Sequence, residues 1–396
     1  MRIGMILDKT FPPDPRVENE AISLIENGHE VFLFCLKYDK EKDHEVLKEI
    51  QVKRYKSNKL IYKLSALVYT IPFYSMVMSK KINHFLIHHN IEIIHIHDIQ
   101  ITEAVLRANK KLKLKIVLDL HENRPEIMKF YPHLQKFPGK YLISANKWKQ
   151  KEETFISTAT KVIVVTEESK NEIAKRTNKK SERIIVVPNT VHKSYYKNAQ
   201  IQNNIIENYK DNFVLLYLGD TGLRRGLQTA IASINNLKDK ISNIKLVIVG
   251  SNSSDSILKL QVKNLGIEHF VDFVGWQNEK LFPSYIKASS VCISPLHRNL
   301  HHDTTYANKL FQYMSFSKPV LVSNATAQKK LIKRTNTGLV HLEKDVQDFT
   351  NKIVELYTNK NLRDSLGKNG KRFVEEEFYW EKTAKNLINL YANLSS

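Results

Sequence analysis

The sequence predicts an α/β protein built as two doubly wound domains, and three observations predict it. Short β-rich runs alternate with longer helix-period segments from end to end, the pattern of parallel sheets with crossover helices. At 396 residues the chain exceeds what one core usually holds. Hydrophobic residues at 42% and charged residues at 26% are proportions that bury cores, which excludes disordered, collagen-like and coiled-coil chains.

The first unit reads as strand Arg2–Leu7, a helix from about Arg16 with Val17, Ala21, Leu24 and Ile25 on one face, a stop at Gly28, then strand Val31–Leu36. Strands follow at Glu92–Ile96, Lys115–Leu120, Lys161–Val165 and Arg183–Val187. After Pro188-Asn189 the polar stretch His192 to Asp211 lacks a strong apolar period and reads as a linker. The alternation restarts with Phe213–Leu218, a helix from about Gly226, Lys245–Val249, a helix to Leu265, Phe270–Val274, Val291–Ser294, helix Asn308–Phe316 and strand Pro319–Val322. Helices are expected to fill most of the rest. Domains are therefore expected at residues 1–195 and 205–379, facing each other across a cleft at the carboxyl ends of their strands, where open α/β sheets bind ligands.

Cys35 and Cys292 each sit in an apolar run, which excludes a disulfide framework and a cysteine metal site and suggests a reducing compartment. The apolar run Ile3 to Leu7 is too short for a signal-peptide core, and Leu60–Ser79, with Pro72 and several hydroxyl side chains, is a poor spanning helix. Net charge is +20, and residues 51–150 hold 18 Lys and Arg against 6 Asp and Glu, a net +12. Such an excess on one part of the chain points to an anionic partner. Within it, Leu60, Leu64, Leu67, Tyr69, Phe73 and Met76 lie between Lys59, Lys63, Lys80 and Lys81, and Tyr131, Phe137, Tyr141 and Trp148 lie among lysines of the stretch Phe130 to Lys151. Aromatic and aliphatic side chains beside lysines suit an anionic membrane face, and the competing reading of Leu60–Ser79 is a core crossover helix with lysine ends.

In the second half, Gly219-Asp220-Thr221-Gly222-Leu223-Arg224-Arg225-Gly226 runs from a strand into a helix. Backbone N–H groups at a helix start, with guanidinium forks, make a diphosphate site, whereas the bland reading is a tight turn with solvated arginines. Neither a Walker A loop nor a G-x-G-x-x-G is present. The segment Asn308 to Met314 offers Lys309 to phosphate and Gln312 to sugar hydroxyls, with Leu310, Phe311 and Met314 as an inward face. In the first half His95, His97 and Asp98 follow one strand, and Asp119, His121 and Glu122 another. A metal reading of these is set aside, because the chain has no Asp-x-Asp pair and the histidines are not helix-spaced. His121, at a strand end, is the better substrate-contacting candidate.

Together these segments resemble the retaining glycosyltransferases of the two-domain GT-B fold, specifically glycosyltransferase family 4. The resemblance rests on Phe11 to Val17 with Gly28-His29-Glu30-Val31, His97-Asp98, Asp119 to Glu122, Val187-Pro188-Asn189, Gly219 to Gly226, Gly275-Trp276, and Asn308 to Met314 with Lys318-Pro319-Val320. It implies two Rossmann-like domains that move a sugar from a UDP- or GDP-sugar to an acceptor in cell-surface polysaccharide or glycolipid assembly. The second domain would hold the nucleotide sugar through Gly219, Arg224, Arg225, Lys309, Leu310, Gln312 and Thr304, with base contacts near Gly250-Ser251 and Trp276. His121 would reach the reaction centre, and Arg16, His97, Asp98 and Glu122 would lie on the acceptor side. No metal cofactor is implied, since side-chain cations stabilise the departing diphosphate. The last helix, within 380–396, would return to the first domain, where sequence alone allows a cap on the second equally well.

The family's Glu-x7-Glu pair reads Thr304 and Gln312 here, and the basic residue often found after the loop glycine is Asp220, with Arg224 as the candidate replacement cation. A nucleotide-sugar 2-epimerase shares the architecture but needs acid/base pairs this sequence lacks. A catalytically silent sugar-nucleotide-binding relative is the other alternative. Nucleic-acid binding finds no RNP, KH or helix-turn-helix pattern. The expected setting is cytoplasmic, peripheral on the inner face of the plasma membrane.

Overall fold

The computed structural model describes residues 1–395 except 132, 133, 135 and 138. It divides into two compact units, residues 1–188 with the C-terminal residues from 383, and residues 189–382. Unit 1 carries β1 (Arg2–Ile6), β2 (Glu30–Lys37), β3 (His44–Leu47), β4 (Ile50–Lys56), β5 (Ile93–His97), β6 (Lys115–Leu120), β7 (Lys161–Val164) and β8 (Ile184–Val186). Their order is β3-β4-β2-β1-β5-β6-β7-β8, parallel except for the β3–β4 pair. Unit 2 carries β9 (Phe213–Leu218), β10 (Ile244–Val249), β11 (Val271–Gly275), β12 (Val291–Ser294), β13 (Val320–Ser323) and β14 (Gly338–His341). The order β11-β10-β9-β12-β13-β14 is parallel throughout.

Strands buried on both faces need apolar residues at every position. In unit 2 alternate residues fill two cores: Leu215, Tyr217, Leu246 and Ile248 pack on one side of the sheet, and Val214, Leu216, Val247 and Val249 on the other. In unit 1, β1 is buried from Ile3 to Ile6, and Gly4 lets Ile91 and Phe85 approach so closely that an added Cβ would lie 2.9 Å from Ile91.

Four elements depart from the sequence reading. The edge hairpin β3–β4 turns on Lys48 and Glu49, both at positive φ, without the glycine or asparagine that marks such turns. β14 has only four residues, and its Gly338 is required because a Cβ would meet Val320 O at 1.9 Å. Leu60–Ser79 is not one segment but parts of two helices, Lys59–Ser65 and Phe73–His88, the second starting just after Pro72. The polar stretch His192 to Asp211 contains helices Lys193–Lys197 and Asn203–Asn208, and Val191 and Ile205 enter the unit 2 core, so the unit boundary falls at 188/189. The final helix, Lys385–Ser395, belongs to unit 1, where Tyr391 is fully buried.

Candidate functional site

In both sheets the strand order reverses beside the first strand, between β1 and β5 and between β9 and β12. Ligands of open α/β sheets bind outside the carboxyl ends at such a point. The candidate residues of each unit follow those strands.

In unit 2 the chain leaves β9 through Gly219 at φ +108 and reaches helix Leu227–Leu237 through Gly226 at φ +77. A Cβ on Gly226 would lie 1.8 Å from Pro295 O, and His297 N donates to Arg224 O at 3.1 Å, so the loops after β9 and β12 are stitched together. Gly250, ending β10, presses on the same loop: its Cβ would lie 2.1 Å from Gly219 O. Arg225 Nε donates to Asp220 Oδ2 at 3.1 Å. Asp220 Oδ1 accepts from Gly222 N at 3.1 Å and Asn252 Nδ2 at 2.6 Å. Burial would raise the Asp220 carboxyl, but Arg225 and these N–H groups hold it below the usual carboxylate range. Lys309 stands on the Tyr217 ring, Nζ 3.5 Å from its centroid, with its pKa pushed well down by burial and then by Arg225. A lysine that is costly to keep charged next to an arginine gains from an arriving anion.

The remaining unit 2 candidates divide. Gln312 is half-buried, and its amide makes no hydrogen bond to the described residues. Ser251 and Trp276 are exposed, Trp276 at 74%. Thr304 is buried and its hydroxyl donates back to Leu300 O at 2.7 Å, which ties it to its own helix turn. Leu310 is a core side chain whose N–H is taken by Ala307 O at 2.9 Å, so it offers a ligand neither group. Arg224 Nη1 lies 3.3 Å from His302 Nε2. Burial holds His302 down at about 3, so the imidazole there is neutral.

Unit 1 holds a buried ionic network. Arg16 grips Asp119 with two bonds, Nε to Oδ2 at 2.8 Å and Nη2 to Oδ1 at 2.7 Å, and also donates to Val187 O at 3.1 Å. Asp119 Oδ2 additionally meets His97 Nδ1 at 3.3 Å and His121 Nδ1 at 3.2 Å. His121 Nε2 meets Asp98 Oδ2 at 2.9 Å, Asp98 being placed by a backbone φ of +64°. With a carboxylate on each ring nitrogen, His121 is an imidazolium: burial opposes the charge, but Asp98 and Asp119 raise its pKa well above the ordinary value. Arg16, His97 and Asp98 are buried, so they hold the network, while Glu122 is exposed, 4.0 Å from Arg124.

Sequence reading missed two members of this network, Glu20 and Tyr391. Glu20 Oε1 pairs with Arg16 Nη2 at 2.9 Å, an i,i+4 spacing readable from the helix. Tyr391, whose hydroxyl lies 2.9 Å from His95 Nδ1, left no local signal. Glu20, His95, His97 and Asp119 each bring a ligand atom within 4.8 Å of one another. Arg16 pairs with both carboxylates, so a guanidinium already supplies the positive charge there.

Solved structures share the fold. Sucrose-phosphate synthase from Thermosynechococcus elongatus superposes with a TM-score of 0.80 at 18% identity, covering 99% of this chain and 98% of that one. Anabaena Alr3699/HepE, solved in complex with UDP-glucose, gives 0.74 at 13%, covering 99% and 100%. The molecule thus has the GT-B fold of these structures, with two parallel-sheet α/β domains. The family described as Glycosyltransferase Family 4 matches residues 16–195, and that described as Glycosyl transferases group 1 matches residues 198–373. The chain belongs to these glycosyltransferases. Among curated relatives, the capsular polysaccharide biosynthesis glycosyltransferase CapM of Staphylococcus aureus is 25% identical over 247 residues, 59% of this chain, and the match spans 61% of CapM's length. An uncharacterized glycosyltransferase of Methanocaldococcus jannaschii, MJ1607, is 21% identical over 405 residues, 99% of this chain and 98% of its own length.

Proposed function

We propose that the protein is a retaining, metal-independent glycosyltransferase that takes a sugar from a UDP- or GDP-sugar and delivers it to a polysaccharide or lipid-linked acceptor. The observation that carries this reading is the Gly219–Gly226 loop, which gathers Arg225, Lys309 and helix-start N–H groups at the point where the unit 2 sheet reverses. Two cations beside a helix start favour a departing diphosphate, the role a divalent ion plays elsewhere. The UDP-glucose complex of HepE and the capsular role in CapM's name support the donor and acceptor classes. Gln312 reaches the ribose hydroxyls with an amide in place of a carboxylate. Retention of the anomeric configuration follows the family resemblance.

Acceptor chemistry belongs to unit 1, where the His121 imidazolium is a fixed cation at the end of β6. The setting is cytoplasmic, at an anionic membrane face. Leu60, Phe73, Met76, Phe137 and Tyr141 are exposed, Phe137 at 84%, within the span that carries the net +12. Tyr69 and Trp148 do not take part: their rings pack together at 4.7 Å, and both face the unit 1 core. Part of the stretch Phe130 to Lys151 lies outside the described residues. Among the described residues no helix is long and apolar enough to cross a membrane.

The test is a thermal-shift panel of nucleotide sugars, followed by NMR of the product's anomeric proton with the best donor. The reading expects one base to be preferred and the donor's configuration to be kept. No shift with any nucleotide sugar, or an inverted product, would contradict it.

A further inference from the structure

From the hydrogen bonds around Arg225 we infer that Asp220 is a positioning residue for the donor diphosphate: it holds Arg225 by Nε alone and leaves the two Nη groups facing a ligand. This rests on the donor-site reading above. An aspartate on a diphosphate loop is unexpected, since its charge repels the ligand. Its contacts explain why it is tolerated. Both oxygens are occupied, Oδ1 by Gly222 N and Asn252 Nδ2, and Oδ2 by Arg225 Nε, with Arg224 Nη2 3.8 Å away. Tyr217 OH donates to Asp220 O at 2.6 Å, which fixes the backbone under the same side chain. Of the five guanidinium N–H groups of Arg225, Asp220 takes one, and the Nη groups make no hydrogen bond to the described residues. A planar fork gripped at Nε presents its other edge in one orientation, so less side-chain freedom is lost when an anion binds. Asn252, in the loop after β10, completes the brace.

A competing role is open to the same geometry: Asp220 could act as an internal anion that the diphosphate must displace. The two roles predict opposite signs. Isothermal titration of UDP and GDP against wild type, Asp220→Ala, Asp220→Asn, Arg225→Ala and the Asp220→Ala/Arg225→Ala pair separates them. As a brace, Asp220→Ala weakens the preferred nucleoside diphosphate by roughly tenfold, the scale of one charge-assisted hydrogen bond. Asp220→Asn keeps an acceptor for Nε but turns its amide N–H groups toward Gly222 N and Asn252 Nδ2, so it recovers only part of the affinity. In the Arg225→Ala background Asp220→Ala costs nothing further, because its effect runs through Arg225. Unchanged or tighter binding by Asp220→Ala overturns the proposal, as does an equal loss in both backgrounds, which would mark a merely structural role. Should Asp220→Ala not fold, Asp220→Ser serves in the same cycle. If wild type binds neither nucleoside diphosphate, the donor-site reading itself falls and this inference with it, an outcome distinct from wild-type binding with an insensitive Asp220.

Discussion

At the scale of single residues, the unit 1 network works by matching charges that burial makes costly. His121 sits between Asp98 and Asp119, and its pKa is raised above the ordinary histidine value. A histidine with a raised folded pKa contributes stability that is full below its unfolded pKa of about 6.5 and is lost as pH rises through the folded value. The melting-temperature gap between wild type and His121→Asn should therefore narrow as pH rises above about 6.5. A gap independent of pH across that range would mean a neutral imidazole. Asp98 and Asp119 shift the other way: burial alone would raise both, but His121 pulls Asp98, and Arg16 with His121 pulls Asp119, below the ordinary range, so their contributions vanish on acidification. The residues of this network were partly legible in sequence. His97, Asp98 and His121 stand out because they are polar groups at the ends of apolar strands, whereas Tyr391 lies some 300 positions from His95, and nothing local couples them.

Elements carry the geometry, and here the sequence spoke unevenly. Phe213–Leu218 is a continuous apolar run buried on both faces, and Lys115–Leu120 is one broken only by Asp119 after its leading lysine, so both read directly, to the residue. The β3–β4 hairpin and β14 did not: β3 and β14 are four-residue edge strands, too short for a clear period, and β4 alternates apolar residues with polar and charged ones. In the donor loop the glycines were readable and their reasons were not: only the packing shows that Gly226 must admit Pro295 O. Gly226→Ala should cost about 1–3 kcal/mol from backbone strain and should also weaken nucleoside diphosphate binding by moving the start of Leu227–Leu237. Chemical denaturation and titration of the same variant check both, and a fully stable variant with unchanged affinity would show that the loop yields. The C-terminal helix Lys385–Ser395 offers a parallel case in unit 1. Replacing Tyr391 with Phe leaves His95 Nδ1 without its partner in a buried site and should destabilise the protein by about 1–3 kcal/mol. A loss below about 0.5 kcal/mol would assign the anchoring of this helix to apolar packing alone.

For the whole molecule, charge and proposed chemistry are divided between the units: the basic excess gathers in residues 51–150 of unit 1, and the loop proposed to hold the diphosphate lies in unit 2. If the acceptor rides on a lipid, this division has a purpose. Co-sedimentation should show binding to anionic but not neutral vesicles, weakened as salt screens the surface, and lowered in Phe137→Ser/Tyr141→Ser, two exposed aromatics outside the core. Failure to bind anionic vesicles at low salt would point to a soluble acceptor. The central claim is that side-chain cations in unit 2, not a divalent ion, hold the nucleotide's diphosphate. Isothermal titration of UDP and GDP in EDTA tests it most directly. The account predicts saturable binding of one of them in EDTA, unchanged by added Mg²⁺ or Mn²⁺, and weakened by about 1.5–3 kcal/mol in Arg225→Ala. Binding that appears only with the metal, or that is identical in wild type and Arg225→Ala, would contradict it.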